Sequence, residues 1–514
     1  MFKIKRRLCL TAAILCFGMF CADSVLSQEA LNLGDQRELF IDDYLIGAME
    51  NVCLQVHEPN RENLVAVLDK PWEGNGCIYT TVLYDEEAKL YRLYMSTWKV
   101  GNPTAQITML TSPDGINWTR PNLGLWDYEG VKDNNIVVGR LEWPGGKSDS
   151  PENFSPCLDT NPNATPDAKY KATGSGMRCN EGVWAYKSPD AVHWSPMHNG
   201  PVYASGHFDS QNVSFWSEKE QKYILYYRVK IPCGDGTENF VRCVFRATSD
   251  DYINWKNEGQ IQFPEEEGPN FHAQFYVNQI RPYYRAKQLY IGFPARYCDN
   301  GLTESTKQLP SWEERQARMS QEVRFATAVT DTVFITSRDG INFRQGNDVF
   351  LRPGLRTKDN WAYGDNYLAW NLVETDSTEE DSPRELSLYA SESYFTGNDT
   401  SIRRYSLRID GFCSIHAKRQ PGTVVTKPLT FSGKELTLNY RTSAAGLVYV
   451  EICDASGNVI PGFEKENCDV LYGDSLDRIV SWKGSKDVSS LAGKTITLKF
   501  YMQEADVYSL KFNQ

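Results

Sequence analysis

Beyond Leu8 to Phe20, the 514-residue chain has no apolar run that approaches the roughly 20 residues a membrane-spanning helix needs. It has no C-x-x-C or Cys/His spacing of the zinc-site kind, no nucleotide or flavin motif, and no EF-hand loop. Positive charge is also in deficit, with 54 Lys and Arg against 66 Asp and Glu and a formal net charge of −12. These absences argue against a helical membrane protein, a structural zinc module and a dinucleotide-binding domain. They also remove nucleic acid and anionic membrane as partners, since both require a basic face. A neutral sugar is untouched by that argument.

The N-terminus reads as an address. Lys3, Lys5, Arg6 and Arg7 precede the apolar run, and Val25-Leu26-Ser27 forms a small-residue cleavage signal. Residues 1–27 are therefore expected to be a signal peptide, with a mature start near Gln28 and a secreted or periplasmic location. The bulky Phe20 before Cys21 argues against a lipid anchor. Cleavage removes four basic residues and one acidic, which moves the net charge to about −15. The remaining chain suits two domains. Cys453 and Cys468 flank one expected hairpin, and Cys233 and Cys243 another. Disulfides and buried free thiols are both open for these pairs.

One heptapeptide recurs. Ser112-Pro113-Asp114-Gly115-Ile116-Asn117-Trp118 returns as Ser188 to Trp194, Ser249 to Trp255 and Ser337 to Phe343. Each copy reads as a strand end, a tight Asp/Gly turn and a short strand carrying an inward aromatic residue. The aromatic positions lie 76, 61 and 88 residues apart. A strand-rich unit repeated at that spacing indicates a propeller. Five strand pairs rich in Tyr and β-branched residues complete the pattern between about residue 65 and residue 410. Leu39 to Ile46 is a further β-type run, expected to close the last blade. The insertion from Cys298 to Glu322 should place one or two helical turns over a face of the ring. After Ile409-Asp410-Gly411-Phe412, five more strand-like segments indicate a sandwich. The expected organisation is all-β: a five-bladed β-propeller over 28–412, followed by a β-sandwich over 413–514.

In a propeller the innermost strands begin beside the axis. The five starts here carry Glu73, Glu152, Asp209, Glu267 and Asp365. Crowded carboxylates split their pKa values, which separates an acid from a base as glycoside hydrolysis requires. The cluster His207-Phe208-Asp209-Ser210-Gln211-Asn212 stands before the third inner strand, with His207 placed to tune Asp209. Trp361-Ala362-Tyr363-Gly364-Asp365-Asn366-Tyr367 offers aromatic rings for a sugar face, and Trp72 adjoins Glu73. Tyr276, with His272 and Asn278, alternates along the fourth inner strand. Short acidic loops such as those of Glu152 and Glu267 are more often plain solvated surface.

Together these features resemble the five-bladed β-propeller glycoside hydrolases of the invertase/inulinase and arabinanase/xylosidase type, including their secreted bacterial members. The resemblance implies catalytic acids at inner-strand starts. Glu267-Gly268-Pro269 matches the E-G-P around the arabinanase-type general acid. Trp72-Glu73-Gly74-Asn75-Gly76 stands where W-x-N-D-P-N-G would be, and neither R-D-P nor E-C occurs. The leading expectation is an exported glycosidase acting on a poly- or oligosaccharide. Asp209, Asp365 and Glu73 are the catalytic carboxylates, and Trp72, His207, Asn212, Tyr276, Trp361 and Asn366 are substrate contacts. No cofactor is required, although Ca²⁺ is compatible with so many carboxylates. The alternatives are a non-catalytic carbohydrate-binding propeller, and a polysaccharide lyase that uses a Tyr or His base with Arg228, Arg281 or Arg296 neutralising a uronate.

Overall fold

The computed structural model describes residues 29–98, 105–139, 141–143, 147–149, 152–175, 182–233, 239–358, 360–394 and 400–514. The signal peptide expected at residues 1–27 lies outside them.

Five antiparallel sheets surround one axis. The first blade runs from its inner strand Gly76–Asp85 through Leu90–Trp98 and Gln106–Ser112 to Ile136–Val138. The second and third begin at Ser155–Leu158 and Val213–Ser217. In the fourth blade the two inner strands are each broken into short pieces. The break in the second of them falls at Phe293-Pro294, where proline has no N–H for the ladder. The fifth blade begins at Val373–Thr375 and is completed from outside by Asn60–Val67, which pairs with Ser401–Leu407. Glu62 secures this closure, accepting from Ser406 Oγ through its side chain and from Arg403 through its carbonyl.

The closing strand is thus not Leu39 to Ile46. That run and its neighbours, from Leu31 to Val56, join the C-terminal sheet instead. The propeller therefore starts near residue 60, and the sandwich is assembled from both ends of the described chain. Its two long strands, Glu435–Asp454 and Ile496–Asn513, pair over most of their length. They enclose a core that includes Leu33, Phe40, Ile415, Leu438, Val450 and Phe500. A second cluster, with Leu39, Ile41, Tyr283, Phe293, Phe334 and Phe412, joins sandwich to ring. Asp410 is fully buried at this junction, accepting from the Tyr283 hydroxyl at 2.7 Å and lying 3.4 Å from Arg37 and 3.6 Å from Arg285.

The four heptapeptides make the same turn. Each Asp oxygen accepts backbone N–H groups two and three residues on, as Asp114 does from Ile116 and Asn117, both at 2.8 Å. The following residue has positive φ in every copy: Gly115, Ala191, Tyr252 and Gly340. A tyrosine of the preceding blade donates to that residue's carbonyl in three of them: Tyr389 to Gly115, Tyr94 to Ala191 and Tyr226 to Gly340. The repeat is therefore a clasp between blades as well as a turn.

The cysteines for which pairing was left open are thiols. Cys233, Cys243, Cys453 and Cys468 are all free, as are the other five described cysteines. Burial suits the neutral thiol and pushes Cys243 and Cys468 up to about 11.

Candidate functional site

At its waist the channel is closed by side chains. Gln211 Nε2 donates to the Thr80 carbonyl and to Thr81 Oγ1, both at 3.0 Å. Gln279 Nε2 donates to Gln211 Oε1 at 2.8 Å and to the Leu368 carbonyl at 2.6 Å. This layer ties blades one, three, four and five together and separates two ends. The far end holds a cavity of about 490 Å³, lined in part by Trp216, Arg281, Tyr284 and Trp370.

The near end, where the inner strands start, is floored by tyrosines. Tyr276 has ring-centroid distances of 6.1 Å to Tyr297 and 5.7 Å to both Tyr363 and Tyr367, and Tyr363 lies 5.7 Å from Tyr394. Tyr79 joins the same cluster from blade one. It occupies a bulge in that inner strand and has φ of 60°, a costly conformation for a bulky residue.

Asp209 stands over this floor with half its side chain exposed, 3.4 Å from Arg228. Arg228 is 3% exposed and lies with its guanidinium 5.0 Å from the Tyr276 ring centre. Arg242 lies over Tyr276 at 5.0 Å and over Tyr297 at 4.8 Å. Arg324 lies 5.0 Å from the Tyr363 centroid and donates to its hydroxyl at 3.2 Å. Burial and Asp209 push the Tyr276 phenol upward, but Arg228, Arg324 and Arg242 outweigh them and hold its pKa below the ordinary tyrosine value.

The helical segment runs past the expected end of the insertion at Glu322: it forms α1 (Glu304–Lys307), α2 (Trp312–Met319) and α3 (Arg324–Thr327), and Arg324 opens the last. Arg315 of α2 is buried and donates to the carbonyls of Pro310, Ala326, Asn360 and Trp361. One side chain thereby fastens the insertion to the loop that leads into Asp365. The expected helical cover is present, and it carries a site residue.

The other expected residues take different places. Asp365 is only 2% exposed, and its two oxygens accept the N–H groups of Ala362 and Tyr394. Burial drives its pKa up to about 7. It is thus neutral over part of the physiological range and fixes the rim loop from below. Glu73 has no exposure and is held at both oxygens by Arg120, each at 2.8 Å. It has no face left for a substrate, which corrects its expected catalytic role. Trp72 turns with it, donating to Asn135.

Asn212 and Asn366 are buried braces rather than contacts. Asn212 donates to the Phe208 and Ser210 carbonyls, and Asn366 to the Thr330 carbonyl. Trp361 donates to the Gly354 carbonyl, with its ring partly exposed at the rim. His207 is exposed, and its Nδ1 accepts from the Lys230 N–H and so is not a donor to Asp209. Partial burial, with Lys230 and Arg228, lowers its pKa.

Glu267 leaves the axis for the outer strand of blade four, where it accepts from Arg344 and from the Gln345 N–H. Glu152 is partly exposed and lies within electrostatic reach of Tyr394. Of the arginines named for a lyase, Arg228 is the one that lies against the Tyr276 ring. Arg281 lines the far cavity, and Arg296 forms a two-point pair with Asp331 across its blade. Arg242, Arg324 and Tyr79 had no role in the sequence reading, whereas Tyr363 belonged to the aromatic cluster offered for a sugar face. Their signal was an aromatic residue close to an arginine, as in Phe240-Val241-Arg242 and Arg324-Phe325.

No family model matches the chain, and no curated protein matches it. Solved structures of similar fold include a glycoside hydrolase at 12% identity and TM-score 0.43, with 68% of this chain and 92% of that one covered. A family 43 arabinoxylan arabinofuranohydrolase from Bacillus subtilis matches at 11% and 0.38, covering 86% of this chain and 96% of its own. A fructofuranosidase from Schwanniomyces occidentalis matches at 11% and 0.38, covering 90% of this chain and 100% of its own. At such identities and scores the likeness carries no residue role and no substrate. The five-bladed architecture is evident from the sheets themselves.

Proposed function

We propose that the protein is an exported glycoside hydrolase whose active site is the end of the channel bearing Asp209. The observation that carries this reading is the setting of that carboxylate. It is open to solvent on one side, paired with Arg228 on the other, and lies over a tyrosine floor suited to a sugar ring. Beside Arg228 and open to solvent, Asp209 is the carboxylate placed to act as nucleophile or water-activating base. Glu152, on the neighbouring blade, is the partly exposed carboxylate assigned here as proton donor. Asp365 acts through the backbone it holds and does not touch substrate.

β-Elimination on a uronate is the second reading, and the lowered pKa of Tyr276 favours it. A phenol that ionises readily can remove a proton next to a carboxylate neutralised by arginine. Screening the secreted, purified protein against plant and algal glycans separates the readings. Hydrolysis predicts new reducing ends without unsaturated-uronate absorbance, and at least a hundredfold loss in Asp209→Asn, the order expected of a lost general base. Elimination predicts that absorbance and its loss in Tyr276→Phe. Retention of a glycan without turnover would make the site a binding site only.

A further inference from the structure

We infer that the sugar accepted at this end carries an anionic group, a carboxylate or a sulfate ester, held by Arg228, Arg242 and Arg324. The inference rests on the reading of this end as the carbohydrate site and adds the class of sugar. Three guanidiniums converge on one tyrosine cluster from three separate segments. Arg228 and Arg242 share Tyr276, and Arg324 lies over Tyr363, whose ring is 5.7 Å from that of Tyr276. Lys230 adds a fourth cation 4.7 Å from the Phe240 ring centre, with Arg242 5.0 Å from the same ring.

Their donors are underused. Neither terminal nitrogen of Arg228 makes a well-aligned hydrogen bond among the described residues, although one lies 3.4 Å from Asp209 and the guanidinium is against Tyr276, and Nε of Arg242 is likewise unmet. Buried donors on a charged group are costly to leave unmet, and each calls for a physical explanation. Opposite charge is also scarce. Arg228 has only Asp209 within ion-pair distance and Arg324 only Glu322, while Arg242 and Lys230 have no carboxylate there among the described residues. An excess of cations facing one floor, in a chain of net charge −12, is a local arrangement and not a reflection of composition. Stacking on Tyr276 and Tyr297 holds these planar groups in fixed orientations, and a guanidinium fork matches the two oxygens of a carboxylate or sulfate.

The test is calorimetric titration of the whole mature protein with two acidic oligosaccharides and their neutral counterparts. The pairs are an oligogalacturonate with its carboxyl-reduced form, and a sulfated galactan fragment with its desulfated form, with inorganic sulfate as the control anion. The expected result is that one acidic member binds at least about tenfold more tightly than its neutral counterpart, and which pair responds identifies the anion. That preference should weaken with added salt, fall to about threefold or less in Arg324→Gln and recover only in part in Arg324→Lys, which keeps the charge but not the fork. Lys230→Gln, at a half-buried rim position, serves as a second variant should Arg324→Gln fail to fold.

Equal binding of acidic and neutral partners, unchanged by either substitution, overturns the anionic assignment. Cleavage of a neutral glycan would in that case leave the hydrolase reading standing. Binding of inorganic sulfate as tight as that of the acidic sugars would overturn it too, because the site would then hold a free anion. Absence of binding to every member would remove both readings.

Discussion

Asp114, Asp190 and Asp251 hold their protons only in strong acid, each with a pKa of about 2, and Asp339 is lowered in the same way. Partial burial alone would raise them. Hydrogen bonds from the residue three positions on, through both its N–H and its side chain, outweigh that effect. Because the folded pKa lies below the unfolded value near 3.9, the stability these groups add is complete above about pH 4 and is lost as pH falls toward 2. Circular dichroism should show a steep acid transition in that window, and Asp251→Asn should flatten it.

Asp365 has the opposite sign. With a folded pKa of about 7, above its unfolded value, the stability gained from its neutral form is present at about pH 4 and is lost as pH rises through 7. Thermal melts across that range should decline in the wild type and remain level in Asp365→Asn. At this scale the sequence is most legible where chemistry is local. The Asp turns can be read from seven residues, since donor and acceptor lie two or three positions apart. Glu73 cannot be read that way, because Arg120, 47 positions on, determines its role.

At the scale of elements, the insertion depends on one side chain. Arg315 reaches four carbonyls, and burial lowers its pKa to about 10, so its charge is retained at neutral pH. Arg315→Met should cost about 1 to 3 kcal/mol by leaving buried carbonyls unpaired. The insertion should then be cut faster by protease, and KM should rise more than kcat falls, since Arg324 sits on the released segment.

Strand existence was readable from alternation and β-branched content, and all five blades were foreseen from it. Partners were less readable. Leu39 to Ile46, a β-type run near the N-terminus, was expected to seal the ring, and Asn60 to Val67 does so instead. The outermost strand of a blade is largely solvated, however, so the polar Asn60-Arg61-Glu62-Asn63 suits that position, while Leu39 and Ile41 suit a buried junction.

For the whole molecule, ring and sandwich are bound through a shared charge. Asp410 faces Arg37 from the N-terminal segment and Arg285 from blade four, so its loss would leave two largely buried guanidiniums with only the half-exposed Asp477 as counter-charge. Asp410→Ala should lower unfolding stability by about 1 to 3 kcal/mol, read from urea midpoints. Closure of the ring is what brings Asp209, Tyr276, Arg242 and Arg324 to one place from positions spread between residues 209 and 324, and no local pattern encodes that meeting. The most direct measurement is a crystal structure of the Asp209→Asn variant with an oligosaccharide bound. Sugar over Tyr276, within hydrogen-bond reach of residue 209 and Arg228, is the predicted result. Sugar only in the far cavity beside Arg281 and Trp370, with the Asp209 end vacant, would contradict the account.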